Sequence, residues 1–198
     1  MTTQEDAFSH DRYLFRRKVL KLAGGEFRIY DPHGKLALFS RQKAFKLKED
    51  IRAYSDESMT NELLTIKARQ IVDFGATYDV VDAQSGEAVG ALRRKGLKSM
   101  LRDEWLLLDP QGQEIGVVQE DSAIKALFRR FMSSLLPPKY NVRVGGKQVA
   151  TFKRYFNPFV LKYTLDLSHD YDRRLDRRLA IAAGILLCAI ERRQATYG

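Results

Sequence analysis

The densest group of side chains able to bind an anion is a basic cluster around Gly96. Five cations fall within ten residues, and a turn at Gly96 would hold them clear of a sheet beside the apolar residues 97, 100 and 101. Cations next to exposed apolar groups suit the boundary of an anionic lipid headgroup layer. The pattern predicts a lipid-binding turn, with an ordinary solvated hairpin as the alternative. The candidate lipid-binding residues are Arg93, Arg94, Lys95, Lys98 and Arg102.

A second group of reactive residues precedes the C-terminal apolar segment, where Asp170, Asp172 and Asp176 supply oxygen ligands of the kind that Ca²⁺ prefers. Two positions depart from a calcium-binding loop of the EF-hand type. Tyr171 stands where the loop needs glycine, and Arg177 stands where it needs a bidentate glutamate. Nearby arginines would also compete for the carboxylates. We therefore predict no metal site, and we expect Asp170 or Asp172 to cap a helix while Asp176 pairs with an arginine.

The remaining reactive side chains form no recognised catalytic pattern. The sequence contains no nucleotide-binding glycine loop, dinucleotide fingerprint, nucleophile elbow or zinc-protease helix. His10, His33 and His169 fall in a predicted tail, a turn and a strand end. Cys188 lies within an apolar helix, which is typical of a small core residue. The sequence predicts a protein that is not an enzyme and that needs no cofactor.

The charge balance is strongly basic, with a formal net charge of +9 over 198 residues. Such an excess attracts polyanions, so anionic phospholipid or an acidic protein is the expected partner, although the cations could simply coat outward strand faces. Nucleic acid is disfavoured because no aromatic residues interleave the basic cluster for base stacking. One cysteine and the lack of a secretory signal favour the cytoplasm, with peripheral attachment to the inner membrane face.

Repeated hairpins dominate the chain. Asp31-Pro-His-Gly34 and Asp109-Pro-Gln-Gly112 are typical of tight turns, in which the aspartate accepts turn N–H groups and the glycine takes a positive φ. Asp82 to Gly86 is a longer version, and paired glycines at 24–25 and at Gly145-Gly146 predict two further turns. The segment from Phe159 to Leu167 alternates apolar and polar residues, as expected for a strand with one buried face. We count about ten to twelve strands, which is enough for a sandwich or a barrel.

The C-terminal segment decides the architecture. The twelve residues from Leu179 to Ile190 are apolar on every side, so a helix here must be surrounded by protein or by lipid. They rise about 18 Å, short of the roughly 30 Å hydrocarbon core, and charged residues flank both ends. A peripheral rather than a transmembrane protein follows. We predict a mostly β fold in which a closed antiparallel barrel surrounds a buried helix from Asp172 to Arg193.

Two further elements complete the predicted organisation. Residues 121–135 carry apolar side chains at helical spacing and predict one extra amphipathic helix, packed on the barrel or resting on a membrane surface. Residues 1–12 are polar and aperiodic and predict a flexible tail. Residues 13–198 are then expected to form a single domain, whose oligomeric state the sequence does not predict.

A family resemblance rests on these same units. Tyr30-Asp-Pro-His-Gly34, residues 78–82, the segment Ala91 to Gly96 and the closing block from Asp166 to Glu191 resemble the Tubby C-terminal-like superfamily. Within it, the chain is similar to the LURP-one-related and phospholipid scramblase-like branch, over roughly residues 13–193. The resemblance implies a twelve-stranded barrel around a central helix.

The resemblance implies no single activity. Tubby proteins bind phosphoinositides and are linked to transcription, and scramblases are linked to calcium-dependent lipid movement. No residue of the Tubby phosphoinositide pocket can be matched to this chain. We expect a non-catalytic module that binds anionic phospholipid headgroups at a membrane surface through the basic turn. The alternatives are a protein-binding regulatory scaffold, which could be linked to transcription, and a scramblase-related lipid-transfer role.

Overall fold

A computed structural model describes residues 4–18, 25–42, 50–69, 76–94, 104–121, 138–155, 157 and 159–196. Within these residues, the chain forms twelve strands and two helices. The helices are α1 (Gln4–Ala7) and α2 (Arg177–Thr196). The strands are β1 (Arg12–Lys18), β2 (Gly25–Tyr30), β3 (Leu36–Gln42), β4 (Ile51–Tyr54), β5 (Glu62–Ala68), β6 (Thr77–Asp82), β7 (Ala88–Arg94), β8 (Glu104–Leu108), β9 (Glu114–Glu120), β10 (Lys139–Val144), β11 (Lys147–Tyr155) and β12 (Val160–Asp166).

The strands form one closed antiparallel barrel. Each strand pairs with its neighbours along the chain, and β12 returns to pair with β1. Odd-numbered strands therefore all run in the same direction. We call the end where they start the turn end, because it carries the turns at 31–35, 83–87 and 109–113, and we call the opposite end the far end. The predicted closed barrel of about twelve strands is confirmed.

The aspartate turns at the turn end have the predicted geometry. Asp31 Oδ1 accepts hydrogen bonds from the backbone N–H groups of His33 and Lys35, both at 2.9 Å. Asp109 accepts the same two bonds from residues two and four positions further on, at 3.0 and 2.8 Å. Gly34 has a φ of +80°, a conformation that favours glycine. Short local signals of this kind set where β2 and β3, and β8 and β9, reverse direction.

Helix α2 fills the barrel from the turn end. Every residue from Leu179 to Ala189 is buried, which confirms the predicted enclosure of an all-apolar helix by strands. A Cβ atom at Gly184 would lie 2.5 Å from the ring of Phe15 and 3.0 Å from that of Phe152. The helix therefore fits only because its surface is small where β1 and β11 approach it.

The start of α2 differs from the prediction. The Asp170 carboxylate accepts hydrogen bonds from the backbone N–H groups four and five residues further on, at 2.9 and 3.1 Å, and so holds this stretch as a loop. The helix begins at Arg177, where the Asp176 carboxylate accepts the N–H of Arg178 at 2.8 Å. Asp176 is the cap, so the prediction of a cap at Asp170 or Asp172 was wrong.

The N-terminal segment also differs from the predicted loose tail. Ala7 is fully buried and Phe8 packs against the core. The carbonyl oxygen of Asp11 accepts the N–H of Leu167 at 2.7 Å, and β1 already begins at Arg12. Residues 7–12 thus belong to the folded turn end. Two isolated apolar side chains make the contact, and two residues leave no periodic signal in a sequence.

The predicted amphipathic helix at 121–135 lies outside the described residues, apart from Asp121. Among the residues that the structure describes, neither helix combines the length and the apolar character needed to cross a membrane.

Candidate functional site

The predicted basic turn is described only at its first two residues. Arg93 lies opposite Leu106 and Arg94 lies opposite Trp105, at the far end of β7. Because side chains alternate along a strand, Arg93 faces outward and is exposed, whereas Arg94 shares the inner face with the buried Leu92 and is half-buried. These two arginines therefore point to opposite faces of the sheet. Lys95, Lys98 and Arg102 lie outside the described residues.

A row of cations that sequence analysis missed crosses the outer wall of the barrel. Strand register places Lys162 of β12 opposite Arg16 of β1, and Arg16 opposite Arg28 of β2. Arg28 is neutralised by Glu57, at 2.7 Å, and by Glu26, at 3.3 Å. No carboxylate of the described chain forms an ion pair with Arg16 or Lys162. The Arg16 guanidinium instead lies 5.8 Å from the centre of the Tyr30 ring.

Arg16, in the middle of this row, lines a groove of about 670 Å³ on the outer surface of β12, β1 and β2. Leu14 forms its floor, with Thr164 opposite on one side and Tyr30 opposite on the other. Tyr155 of β11, which is 42% exposed, forms the wall beyond β12. The volume falls within the range of small-molecule sites, which is about 300–1,000 Å³.

The end of the groove near the turn end is neutralised. Arg12 and Asp166 lie opposite each other, with Arg12 Nε 3.3 Å from Asp166 Oδ2. Partial burial opposes ionisation of Asp166, but hydrogen bonds from Ser168 and the charge of Arg12 outweigh it and lower the pKa of Asp166 below its ordinary value. The groove thus has an unneutralised cationic side at Arg16 and a charge-balanced side at Arg12.

A second concentration of charge lies at the turn end, around the start of α2. Arg177, whose side chain is 7% exposed, donates to Asp170 Oδ2 at 2.5 Å and to Asp11 Oδ1 at 2.7 Å. The side chain of Asp170 is fully buried. A buried charge needs a partner of this kind, so the pair ties the N-terminal segment and the 167–176 loop to the helix.

Arg178 makes the matching contacts on the other side of the helix start. Its Nη1 lies 2.9 Å from both Asp82 and Glu87, and its Nη2 lies 2.7 Å from Asp176. The predicted pairing of Asp176 with an arginine is confirmed. Burial opposes ionisation of Asp82, but the N–H of Ser85 and the Arg178 guanidinium outweigh it and lower the pKa of Asp82. Hydrogen bonding to Asp176 is the main reason that the pKa of Arg178 is raised.

Arginines engage all three aspartates of this region, whereas the sequence predicted such a pairing for Asp176 alone. Arg177 pairs with Asp170, and Arg178 pairs with Asp176. Asp172 accepts a hydrogen bond from Arg174 at 3.0 Å. Within the described ranges, no group of three or more His, Cys, Asp or Glu residues is arranged to hold a metal ion. These carboxylates shape the helix start.

His10 and Cys188 take structural positions. His10 Nε2 lies 3.7 Å from Asp31 Oδ2, and its backbone N–H donates to the hydroxyl of Tyr13 at 3.1 Å. Burial raises the pKa of Tyr13 to about 12. Cys188 is buried within α2, as predicted for a core residue, and its carbonyl oxygen accepts a hydrogen bond from the buried Arg17 at 2.9 Å.

The sequence model of the LURP-one-related family matches residues 36–188, well over half of the chain. The chain belongs to the LURP-one-related family. The closed barrel is consistent with the wider Tubby-like superfamily, as the resemblance implied, whereas the likeness to the scramblase branch stays a prediction. No curated protein and no solved structure gives a significant match.

The outer-wall cations of this LURP-one-related protein could not be found from sequence spacing. Arg16 and Lys162 are separated by most of the chain, and only the closure of β12 on β1 brings them opposite each other. The one local signal is the alternation of residues 159–167, which places Lys162 on the outward face.

Proposed function

We propose that this LURP-one-related protein is a non-catalytic module that binds anionic phospholipid headgroups at a membrane surface, on the cytoplasmic side. The family and the barrel fold are consistent with a lipid-related or regulatory module. The net charge of +9 supplies the long-range attraction to an anionic bilayer.

The exposed ring of Phe159 at the far end is the observation that carries this proposal. Phe159 directly precedes β12, and its side chain is 64% exposed. Asn157 Oδ1 accepts the backbone N–H groups of Phe159 and Val160, both at 2.9 Å, and so fixes the chain that presents the ring. Arg93 is exposed at the same end of the barrel. Arg93 and Phe159 lie five strands apart around the barrel. An exposed apolar ring and an exposed cation at the same end of the barrel suit contact of that end with lipid headgroups.

Sedimentation with lipid vesicles tests the proposal. The protein is mixed with vesicles of phosphatidylcholine alone, or of phosphatidylcholine containing phosphatidylserine. We expect the protein to pellet only with the acidic vesicles. Arg93→Ser should weaken binding severalfold, since each near-surface cation contributes about 1 kcal/mol. Phe159→Ser should also weaken binding severalfold, because the inserting apolar ring is lost.

The turn end supplies matched controls. Tyr171 is 85% exposed there, and Lys147 is an exposed cation at the start of β11. Tyr171→Ser and Lys147→Ser should leave pelleting unchanged. Equal pelleting with both kinds of vesicle, or failure with both, would refute the binding of anionic lipid. Equal effects of the control variants would refute the proposed orientation.

Lipid scrambling is left out of the proposal. It would require α2 to enter a bilayer, and α2 is enclosed by strands from Leu179 to Ala189. If a purified acidic protein bound stoichiometrically and lipid made no difference, the regulatory scaffold would replace the lipid module as the better account.

A further inference from the structure

We infer that the outer-wall groove over β12, β1 and β2 is a separate binding site for an organic phosphate, with the phosphate held by Arg16 and Lys162. The groove lies on the side of the barrel and uses none of the residues that carry the lipid proposal. It therefore adds a second ligand to that proposal and does not depend on it.

The first argument is the arrangement of like charges. Residues directly opposite each other on neighbouring antiparallel strands have Cβ atoms about 5 Å apart, and like charges at such positions are destabilising. Lys162 faces Arg16 in this way, and Arg16 faces Arg28. Glutamates neutralise Arg28, but no described carboxylate pairs with Arg16 or Lys162. A phosphate between the two cations would remove this repulsion through charge-assisted hydrogen bonds.

The second argument is the shape and composition of the groove beside the cations. Its floor is the aliphatic side chain of Leu14, and its walls include Tyr30 and Tyr155. Arg16 and Lys153 already lie over these two rings, at 5.8 and 5.3 Å from the ring centres, so the cations are held near the aromatic walls. A bare phosphate ion would leave these surfaces uncovered. An organic body attached to the phosphate would cover them.

The third argument concerns orientation. A phosphate at the other side of the groove would meet the carboxylate of Asp166, which is ionised and already paired with Arg12. Asp166 and Thr164 can instead accept hydrogen bonds from hydroxyl or amino groups of the ligand body. The phosphate is therefore assigned to the Arg16 side, and the polar part of the body to the Arg12 side.

Titration calorimetry of the full chain with phenyl phosphate, and separately with inorganic phosphate, tests the inference. We expect phenyl phosphate to bind more tightly than inorganic phosphate. Arg16→Gln and Lys162→Gln, which keep most of each aliphatic stem, should each weaken phenyl phosphate binding about tenfold. Tyr155→Ala should weaken phenyl phosphate binding and leave inorganic phosphate binding unchanged.

Lys67→Gln is the matched control. Lys67 is an exposed outward cation on β5, away from the groove, and its loss changes the net charge by the same amount. If Lys67→Gln weakens binding as much as Arg16→Gln does, only the overall charge matters and the inference is wrong. Binding that is indifferent to Arg16 and Lys162 would also overturn it.

A vesicle arm identifies the source of the phosphate. Vesicles containing phosphatidic acid present a phosphate monoester on a membrane, and vesicles containing phosphatidylserine do not. If the protein binds phosphatidic acid vesicles through Arg16 but does not bind phenyl phosphate, the site exists and its ligand is a lipid. If it binds phenyl phosphate but not these vesicles, the ligand is soluble. Failure of both probes overturns the inference.

The two proposals fail separately. Phe159→Ser should leave phenyl phosphate binding intact. Arg16→Gln should reduce binding to phosphatidylserine vesicles no more than the control variant Lys67→Gln does. Loss of one activity with retention of the other shows which of the two sites is absent.

Discussion

The turn end of the barrel and its outer wall both carry arginines, but they treat the charge in opposite ways. At the turn end, Arg177 and Arg178 each contact two or more carboxylates within 3 Å. On the outer wall, Arg16 and Lys162 face each other, and no described carboxylate forms an ion pair with either. Oppositely charged partners hold one element to another, whereas two cations that face each other without a carboxylate destabilise the sheet. The difference separates charges that build the fold from charges available to a ligand.

The largest expected effect is at the buried pair of the turn end. Arg177→Ala leaves the fully buried Asp170 without its cation, so we expect the free energy of unfolding to fall by about 3–5 kcal/mol. Urea unfolding at neutral pH measures this change. Arg174→Ala, which breaks an exposed pair with Asp172, should change it by no more than about 1 kcal/mol. Equal losses for the two variants would show that burial does not govern these pairs.

An intermediate effect is expected at Asp82, which accepts from Arg178 and from two turn N–H groups. Asp82→Asn should lower the free energy of unfolding by about 1.5–3 kcal/mol at pH 7, because hydrogen bonds to an ionised group are lost. The pKa of Asp82 is lowered in the folded protein, so its contribution is complete above its unfolded value of 3.8 and is lost as the pH falls through the folded pKa.

Unfolding measured between pH 7 and pH 2 checks the Asp82 prediction. The gap in stability between the native protein and Asp82→Asn should stay constant down to about pH 4 and close below it. A gap that persists at the lowest pH would mean that the shape of the side chain, and not its charge, supplies the effect.

The smallest expected effect has the opposite sign and belongs to the outer wall. Lys162→Gln removes one member of the like-charge pair, so we expect the free energy of unfolding to rise by about 0.2–1 kcal/mol. Urea unfolding in low salt detects the change, and added salt should reduce it because salt screens the repulsion. A loss of stability would mean that Lys162 supports the sheet, and the contrast with the turn end would disappear.

Much of the fold could be predicted from local signals. In three turns at the turn end, an initial aspartate and a glycine with positive φ act within five residues, so Asp31 to Gly34 predicted a reversal that the structure confirms. The unbroken apolar run from Leu179 was equally informative, since no partly exposed helix could carry it. Enclosure by strands followed from this apolar character together with a length too short to cross a bilayer.

The candidate site could be predicted far less well. The cluster around Gly96 was recognised because its cations are adjacent in sequence, yet Arg93 and Arg94 face opposite sides of β7. The outer-wall groove gave no comparable signal, since its two cations come from the first and last strands. The helix cap was predicted at the wrong residue because any of three aspartates within seven residues could act as a cap. Only the tertiary structure shows that Asp170 accepts its hydrogen bonds from the loop that precedes the helix and from Arg177.

The sequence by itself determined the elements: strands of alternating polarity, aspartate turns that join them, and one helix too apolar to leave uncovered and too short to cross a bilayer. These properties depend on neighbours within a few residues, so they can be read along the chain. The tertiary structure alone decided which distant side chains meet, because the register of β12 against β1 places Lys162 beside Arg16. A shift of β12 by one residue against β1 would turn Lys162 to the inner face while Arg16 stayed outside, so the charge pattern of the outer wall exists only in the closed barrel.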